Sequence, residues 1–488
     1  MTEPDLHEVV VVGAGFAGLA MAIALRRQGV ADVVVLEKAD DLGGTWRDNA
    51  YPGAACDVPS NLYSFSFAPK ADWTHAFARQ GEIWQYLRDV ARRFGVEGTV
   101  RYGAHLTRAA YADGTWALTT AAGERLDART LVLATGALSV PAVPELPGLE
   151  SFEGPVFHSA AWPRHPDGSD GLDGQRVAVV GTGASAIQFV PELAGRVAHQ
   201  TVFQRTPPWV LPKVDRRFAG WEQRAYAAAP AVQKAVRAGV FARLESRVLA
   251  FTAHPGAMRA AEALSRAHLR RQVRDPGLRA ALTPSYRIGC KRILLSNDYW
   301  STFERRDVEL VTSPAARVEP GAVVDGEGRR HEVDAIVFGT GFVATEPHPD
   351  LEITGPDGVT LNESWRQAME GYLGVAVAGF PNLFTLVGPN STLGHSSMVF
   401  MIERQVEYVL QALALRRSAG ASAVAVRPDV QRDFNDEMRR RTASSVWGTG
   451  CRSWYLDAAG VNRAVWPASV LSYWRRIARL RPSDLELT

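Results

Sequence analysis

Glu37 and Arg205 stand at the same distance from the first glycine of two turns built on one plan. The first turn is Gly13-Ala14-Gly15-Phe16-Ala17-Gly18, entered from Val9-Val10-Val11-Val12. The second is Gly181-Thr182-Gly183-Ala184-Ser185-Ala186, entered from Val177-Ala178-Val179-Val180. An apolar strand, a glycine turn and an Ala-rich helix start set a pyrophosphate on a helix N-terminus. A carboxylate after the next strand accepts hydrogen bonds from a ribose diol and repels a 2′-phosphate; an arginine does the reverse. The pair predicts an FAD site around Glu37 and an NADPH site around Arg205. One glycine pattern alone is a weak signal, but here the whole context recurs. Each copy has its own second strand, Val33-Val34-Val35-Leu36 and Val202-Phe203-Gln204. Ala186 replaces the third glycine, which a position needing only a small side chain tolerates.

These turns need two domains to carry them, and 488 residues supply two or three. Basic and acidic residues nearly cancel, 54 against 52, so nothing points to a nucleic-acid partner. Cys56, Cys290 and Cys451 lie far apart, which predicts neither a metal site nor a disulfide framework, and suits the reduced thiols of a cytoplasmic protein. They also lack the close pair that a flavin disulfide reductase would use. The apolar stretch over residues 9–25 is short and glycine-interrupted, and the residues before it are acidic. It is expected to be a strand, turn and helix, not a membrane span or a secretory leader.

The expected fold is α/β, with two Rossmann-like dinucleotide-binding domains, the NADPH domain inserted in the FAD domain, and a helical insertion. Residues 1–140 would begin the FAD domain and close on the small-residue turn at Thr135-Gly136. A Pro-rich connector (Pro141, Pro144, Pro147) then opens the first part of the NADPH domain, 141–214. Residues 215–283, rich in Ala, Arg, Leu and Gln, read as helical; their arginines, interspersed with Glu245 and Glu262, read as a solvated face. Residues 284–342 would complete the NADPH domain, ending on a second small-residue turn at Thr340-Gly341. Residues 343–488 would complete the FAD domain.

Between connector and second glycine turn lies Phe152-Glu153-Gly154-Pro155-Val156-Phe157-His158-Ser159-Ala160-Ala161-Trp162-Pro163. It resembles, without a departure, the fingerprint of type I Baeyer–Villiger monooxygenases, whose fixed residues fall here on Phe152, Gly154, His158, Trp162 and Pro163. The resemblance extends to residues 43–49, 51–59, Cys290-Lys291-Arg292 and 447–455, nearly the whole chain. It implies further FAD contacts at Lys38, Gly44, Thr45, Trp46, Asp48, Asp57, Tyr63, Leu106, Asn390 and Met398. On the NADP side it implies Thr206, Lys291 and Arg292 beside Arg205.

From sequence alone Arg292 could equally be an ordinary strand-edge charge, and Asp57 reads as a partly buried, paired carboxylate. The resemblance makes them the catalytic pair. It implies conversion of a ketone and O₂ to an ester or lactone through a flavin peroxide stabilised by Arg292 and by bound NADP. His158 is read as a linker residue coupling domain movement, with no proton to transfer. The alternatives are a flavin N- or S-oxygenase of the same superfamily and a redox-sensing flavoprotein without oxygenated product. Trp447, Trp454, Tyr455 and Trp466 are candidates to line an apolar substrate pocket, though tryptophan is also a good core residue. No metal is implied, and a monomer or homodimer is expected.

Overall fold

Two runs rich in β-branched residues supply inner strands of two sheets, the first mixed and the second parallel. The computed structural model describes residues 5–252, 255–346, 348–451 and 453–488. Residues 1–4 and Arg452, the latter within the C-terminal resemblance, lie outside them. Val9, Val10 and Val11 are fully buried in the strand Leu6–Val12; Val9 and Val11 pack with the helices Phe16–Arg27 and Met398–Ser418, and Val10 on the other face with Trp116, Leu118 and Leu126. It pairs in parallel with Val33–Leu36 on one side and Arg125–Leu133 on the other. Among the described residues this sheet has eight strands. An antiparallel meander, Leu106–Ala112 and Thr115–Thr120, extends one side, and Leu383–Thr385 returns late in the chain to pair with Arg125–Leu133.

The second sheet is parallel throughout, in the order Val308–Val311, His199–Phe203, Arg176–Val180, Ala335–Phe338, Val156–His158. A small antiparallel sheet, Ala315–Glu319, Ala322–Asp325 and Arg330–Glu332, flanks it. Between residues 219 and 282 the described chain is helical, as expected. No described helix is long and apolar enough to cross a membrane.

The chain passes between the sheets twice, and the two passages run side by side. Ala142 N–H donates to Gly341 O at 2.9 Å, Val343 N–H to Val140 O at 2.9 Å, and Thr340 Oγ1 to Ala142 O at 2.5 Å. This doubled hinge is the structural form of an inserted domain.

One expectation is corrected. Cys290 and Cys451, 161 residues apart, form a disulfide with their Cα atoms 6.2 Å apart. Sequence distance says nothing about proximity once the intervening chain has folded back, and Cys290 and Cys451 meet in one apolar cluster with Trp447 and Tyr455, so the separation that argued for free thiols was no guide. Cys56 alone remains a free, buried thiol.

Candidate active site

Each glycine turn is held open by backbone geometry that side chains resist. Gly13 has φ +104° and a Cβ there would sit 2.6 Å from Ala134 O; Gly181 has φ +110° and its Cβ would sit 2.5 Å from Gly339 O. Both turns thus press against the end of the next parallel strand, where the other small-residue turns, Thr135-Gly136 and Thr340-Gly341, begin. One cavity of about 1050 Å³ runs past all four.

Its first half is walled by Gly13, Gly15, Phe16, Ala17, Glu37, Lys38, Gly44, Thr45, Trp46, Asp48, Tyr63, Leu106, Thr135, Gly136 and Met398. Glu37 is only 4% exposed, and its carboxylate accepts from Ala14 N–H at 2.8 Å, Ala39 N–H at 3.1 Å and Arg47 Nη1 at 3.0 Å. Arg47 also forks onto Asp48 at 2.7 and 3.0 Å. Trp46 Nε1 donates to Tyr63 OH at 3.0 Å, and burial pushes the Tyr63 phenol well above its ordinary pKa. Gly18 and Asn390 do not line the cavity. Gly18 lies under the turn against Gly13 O. Asn390 is buried behind the wall, donating to Asn462 O at 3.2 Å.

The second half is walled by Gly181, Thr182, Gly183, Ala184, Ser185, Arg205, Thr206, Lys291, Thr340 and Gly341. Arg205 is exposed and makes no ion pair among the described residues. Lys291 lies beside it, its Nζ 4.8 Å from the Tyr286 ring. Desolvation, and then the Arg205 charge, lower the Lys291 pKa.

Where the two halves meet, Arg292 reaches Asp57 across 235 residues of sequence. Nε and Nη2 both donate to the single oxygen Oδ2, at 2.9 and 2.6 Å. Both side chains are half-buried and both line the cavity. Arg292 is positioned by the short parallel pair Val210–Leu211 and Leu294–Leu295, and Asp57 by the 51–59 loop. The Asp57 charge holds the guanidinium above the ordinary arginine range, against the opposing effect of burial. Tyr455, fully buried, lies beside it: burial raises its phenol pKa and the Arg292 charge opposes the rise.

The fingerprint residues stand outside the cavity, in and just beside the edge strand Val156–His158 of the second sheet. Trp162 is buried among Tyr51, Phe157 and Phe189, with centroids 6.3, 5.2 and 5.2 Å away, and its Nε1 donates to Asp170 at 3.1 Å. Tyr51 belongs to the Asp57 loop and Phe189 to the helix Ala186–Leu193 of the second domain. Ala55 N–H adds a bond to Gln188 Oε1 on that helix, at 2.8 Å. His158 lies edge-on to Phe342 in the hinge, 5.3 Å between centroids, its Nδ1 accepting from Ala160 N–H at 3.1 Å. Burial lowers its pKa, favouring the neutral ring. Gly154 is pressed against Asp334 O, while Phe152 supports the core below the second sheet. Pro163, half-buried, follows Trp162.

A family profile described as pyridine nucleotide-disulphide oxidoreductase matches residues 7–277. A Baeyer–Villiger monooxygenase of Streptomyces coelicolor is 46% identical, over 99% of this chain and 93% of that protein. The chain belongs to the Baeyer–Villiger monooxygenases. Among solved structures, cyclohexanone monooxygenase from Rhodococcus sp. Phi1 bound to NADP⁺ superposes with a TM-score of 0.89 at 30% identity, covering all of both chains. OTEMO in complex with FAD and NADP gives 0.89 at 26%, also over both whole chains.

The disulphide-oxidoreductase label does not extend to a redox cysteine pair in this Baeyer–Villiger cavity. Cys56 is the one cysteine among its described lining residues, and burial pushes its thiol pKa far up. No group of side chains that could hold a metal occurs among the described residues. Of the four C-terminal aromatics, Trp454 lines the cavity, whereas Trp447, Tyr455 and Trp466 are core. Sequence reasoning missed Tyr51 and Gln188, which line the cavity and tie the Asp57 loop to the second domain. Tyr51 sat inside a quoted segment, but nothing local says that a loop tyrosine faces another domain. Its desolvated phenol is pushed up to about 12.

Proposed function

We propose that the chain uses FAD and NADPH to convert a ketone and O₂ to an ester or lactone. NADPH and a proton supply the two electrons that reduce the second oxygen atom to water. The observation that carries this reading is the Arg292–Asp57 pair at the junction of two dinucleotide-type turns within one cavity.

The residues fit two dinucleotides. Both turns are cradles that a Cβ would fill, and the one cavity is lined by both. The first turn, Glu37, Trp46, Tyr63 and Met398 would hold FAD; the second turn, Arg205, Thr206 and Lys291 would hold NADPH, with the cations on its 2′-phosphate. Bound FAD would supply the passage of electrons to O₂ and the activated oxygen.

Arg292 keeps a fixed positive charge where negative charge develops on the ketone oxygen. Arginine suits because it stays protonated in a partly dry site, and Asp57 both anchors it and raises its pKa further. A preorganised donor of this kind lowers the barrier by roughly 2–4 kcal/mol. Asp57 Oδ2 takes one hydrogen bond each from Nε and Nη2, and the buried Tyr455 phenol lies beside the same guanidinium, so the group is held from two sides at the cavity wall. His158 and Trp162, outside the cavity, would couple hinge and loop without moving protons.

The test presents a ketone and a thioether together, with NADPH, and identifies products by mass spectrometry. Ester formation dependent on NADPH and O₂ is the expected result. Sulfoxide alone would favour an S-oxygenase, and NADPH consumption balanced only by hydrogen peroxide would refute both.

A further inference from the structure

We propose that Cys290 and Cys451 are a reversible thiol–disulfide site, opened by dithiols and closed by hydrogen peroxide, that clamps the 450–455 segment onto the Lys291–Arg292 segment. The bond lies next to the chemistry on both of its strands. Cys290 directly precedes Lys291 and Arg292; Cys451 lies just before Ser453 and Trp454, which line the cavity, and Tyr455, which abuts Arg292.

This part of the C-terminal segment also packs on the arginine's segment through side chains, with Cys451, Trp454 and Tyr455 in one apolar cluster with Ile288, Cys290 and Ile293, but its backbone adds little. Among its described residues, Gly450, Cys451, Ser453 and Trp454 donate no backbone hydrogen bond. Ser453 O accepts only locally, from Leu456 N–H. Regular hydrogen bonding resumes at Tyr455, whose carbonyl accepts from Arg463 N–H at 3.1 Å. The disulfide is therefore the covalent tie of a stretch that supplies cavity wall beside Arg292 and is otherwise held there by side-chain packing.

The site is chemically selective. Cys451 is half-buried whereas Cys290 is 1% exposed, so a dithiol meets the Cys451 sulfur first. Its thiolate attacks that sulfur and Cys290 leaves as thiolate. The reductant's second thiol then attacks the mixed disulfide, closing its own disulfide and releasing Cys451. Two electrons and two protons pass to the protein. In the reverse direction one thiolate takes an oxygen from hydrogen peroxide to give a sulfenic acid, and the other displaces it; the balance is two thiols plus H₂O₂ to disulfide plus two H₂O. Hydrogen peroxide is what the oxygenase itself releases when reduction and oxygenation come uncoupled. Cys56, buried with its thiol pKa raised, stays out of the exchange.

The kinetic part of the proposal rests on Arg292 being the catalytic arginine; the existence of the redox site does not. The holoenzyme is treated with a small excess of hydrogen peroxide or with dithiothreitol, freed of reagent, then alkylated in denaturant and weighed. Of three cysteines, one is expected to be alkylated in the peroxide form and all of them in the dithiol form, with peptide mapping locating the 290–451 link. Oxidised and reduced holoenzymes are then compared in ketone KM and in the share of NADPH consumed that appears as hydrogen peroxide. Reduction should raise both roughly tenfold, inside the ~10²-fold that an ångström of misplacement can cost, and peroxide should reverse it. Cys451→Ser should sit permanently at the reduced values and ignore both reagents. Full alkylation after peroxide, a link through Cys56, or identical KM and coupling in the two forms would overturn the proposal. None of these outcomes touches the Arg292 assignment, which its own substitution tests separately.

Discussion

The two glycine turns share a backbone and differ in how finished they are. Glu37 is buried and already committed to two backbone N–H groups and Arg47. Arg205 is exposed and, among the described residues, free of any carboxylate, with half-buried Lys291 beside it. The first turn is a closed site whose recognition group is part of the fold. The second holds positive charge waiting for an anion. A dinucleotide in the first should stay through many turnovers, while one in the second can exchange, because desolvation there is incomplete and its cations relax into water when it leaves. The local geometry is the same, and burial of the discriminating side chain should set the difference in lifetime.

The strongest way to break that comparison is at Glu37. Glu37→Ala would strand two backbone donors and deprive Arg47 of a buried partner, a loss on the order of 3 kcal/mol. The expected result is FAD loss on gel filtration and a lowered unfolding midpoint even before FAD is added. If the variant kept its flavin and its midpoint, Glu37 would be no more structural than Arg205.

Between the turns lies Arg292, and here the effect should be on chemistry with both sites intact. Arg292→Ala should retain FAD and still be reduced by NADPH. Ester formation should fall at least ~10²-fold, the scale for losing a preorganised charge donor, with hydrogen peroxide released instead. Near wild-type ester formation would remove Arg292 from the mechanism.

At the open turn, Arg205→Ala should cost about 1.5–3 kcal/mol of NADPH affinity, the value of a hydrogen bond to a charged group. NADH should be nearly unaffected. An equal loss for both nucleotides would mean that Arg205 acts on something other than the 2′-phosphate.

How far the molecule could be read from its sequence follows from the range of each signal. The turns, their entering strands and the discriminating residues are local, so glycine position and β-branched runs suffice to find them. The helical character of 215–283 is likewise a matter of composition. Trp162 and His158 could be placed at a linker, but their partners Tyr51, Phe189 and Phe342 come from three other segments, and no periodicity connects them. Asp57 and Arg292 were paired through family resemblance only; a sequence separation of 235 hides that contact as completely as one of 161 hides the disulfide. The meander Leu106–Ala112 and Thr115–Thr120 escaped because its alternation is interrupted by alanines that suit helix as well as strand. Trp447 and Trp466 show the remaining ambiguity, since the same large apolar ring can line a pocket or fill a core.

The smallest effect sharpens the comparison furthest, because it concerns the state of charge at the open turn. Burial and Arg205 lower the Lys291 pKa from the ordinary 10.5, so its ammonium loses its proton earlier than a free lysine would. A 2′-phosphate beside it favours the protonated form, which couples NADPH binding to that proton. Affinity is therefore full below the free-enzyme pKa of Lys291 and declines as pH rises through it. Without nucleotide the sign is opposite: the unfolded chain holds the proton more tightly than the fold does, so this group makes stability rise with pH over the same window. One partly exposed charge should be worth up to about 1 kcal/mol, roughly fivefold in affinity. The measurement is the ratio of kcat/KM for NADPH to that for NADH, which cancels every titration the two nucleotides share. It should start to fall at a pH below the ordinary lysine value. Lys291→Arg, which cannot lose its charge in this range, should keep the ratio flat. A ratio that falls identically in both proteins would assign the proton to another group and leave Arg205 as the sole cation reading the phosphate.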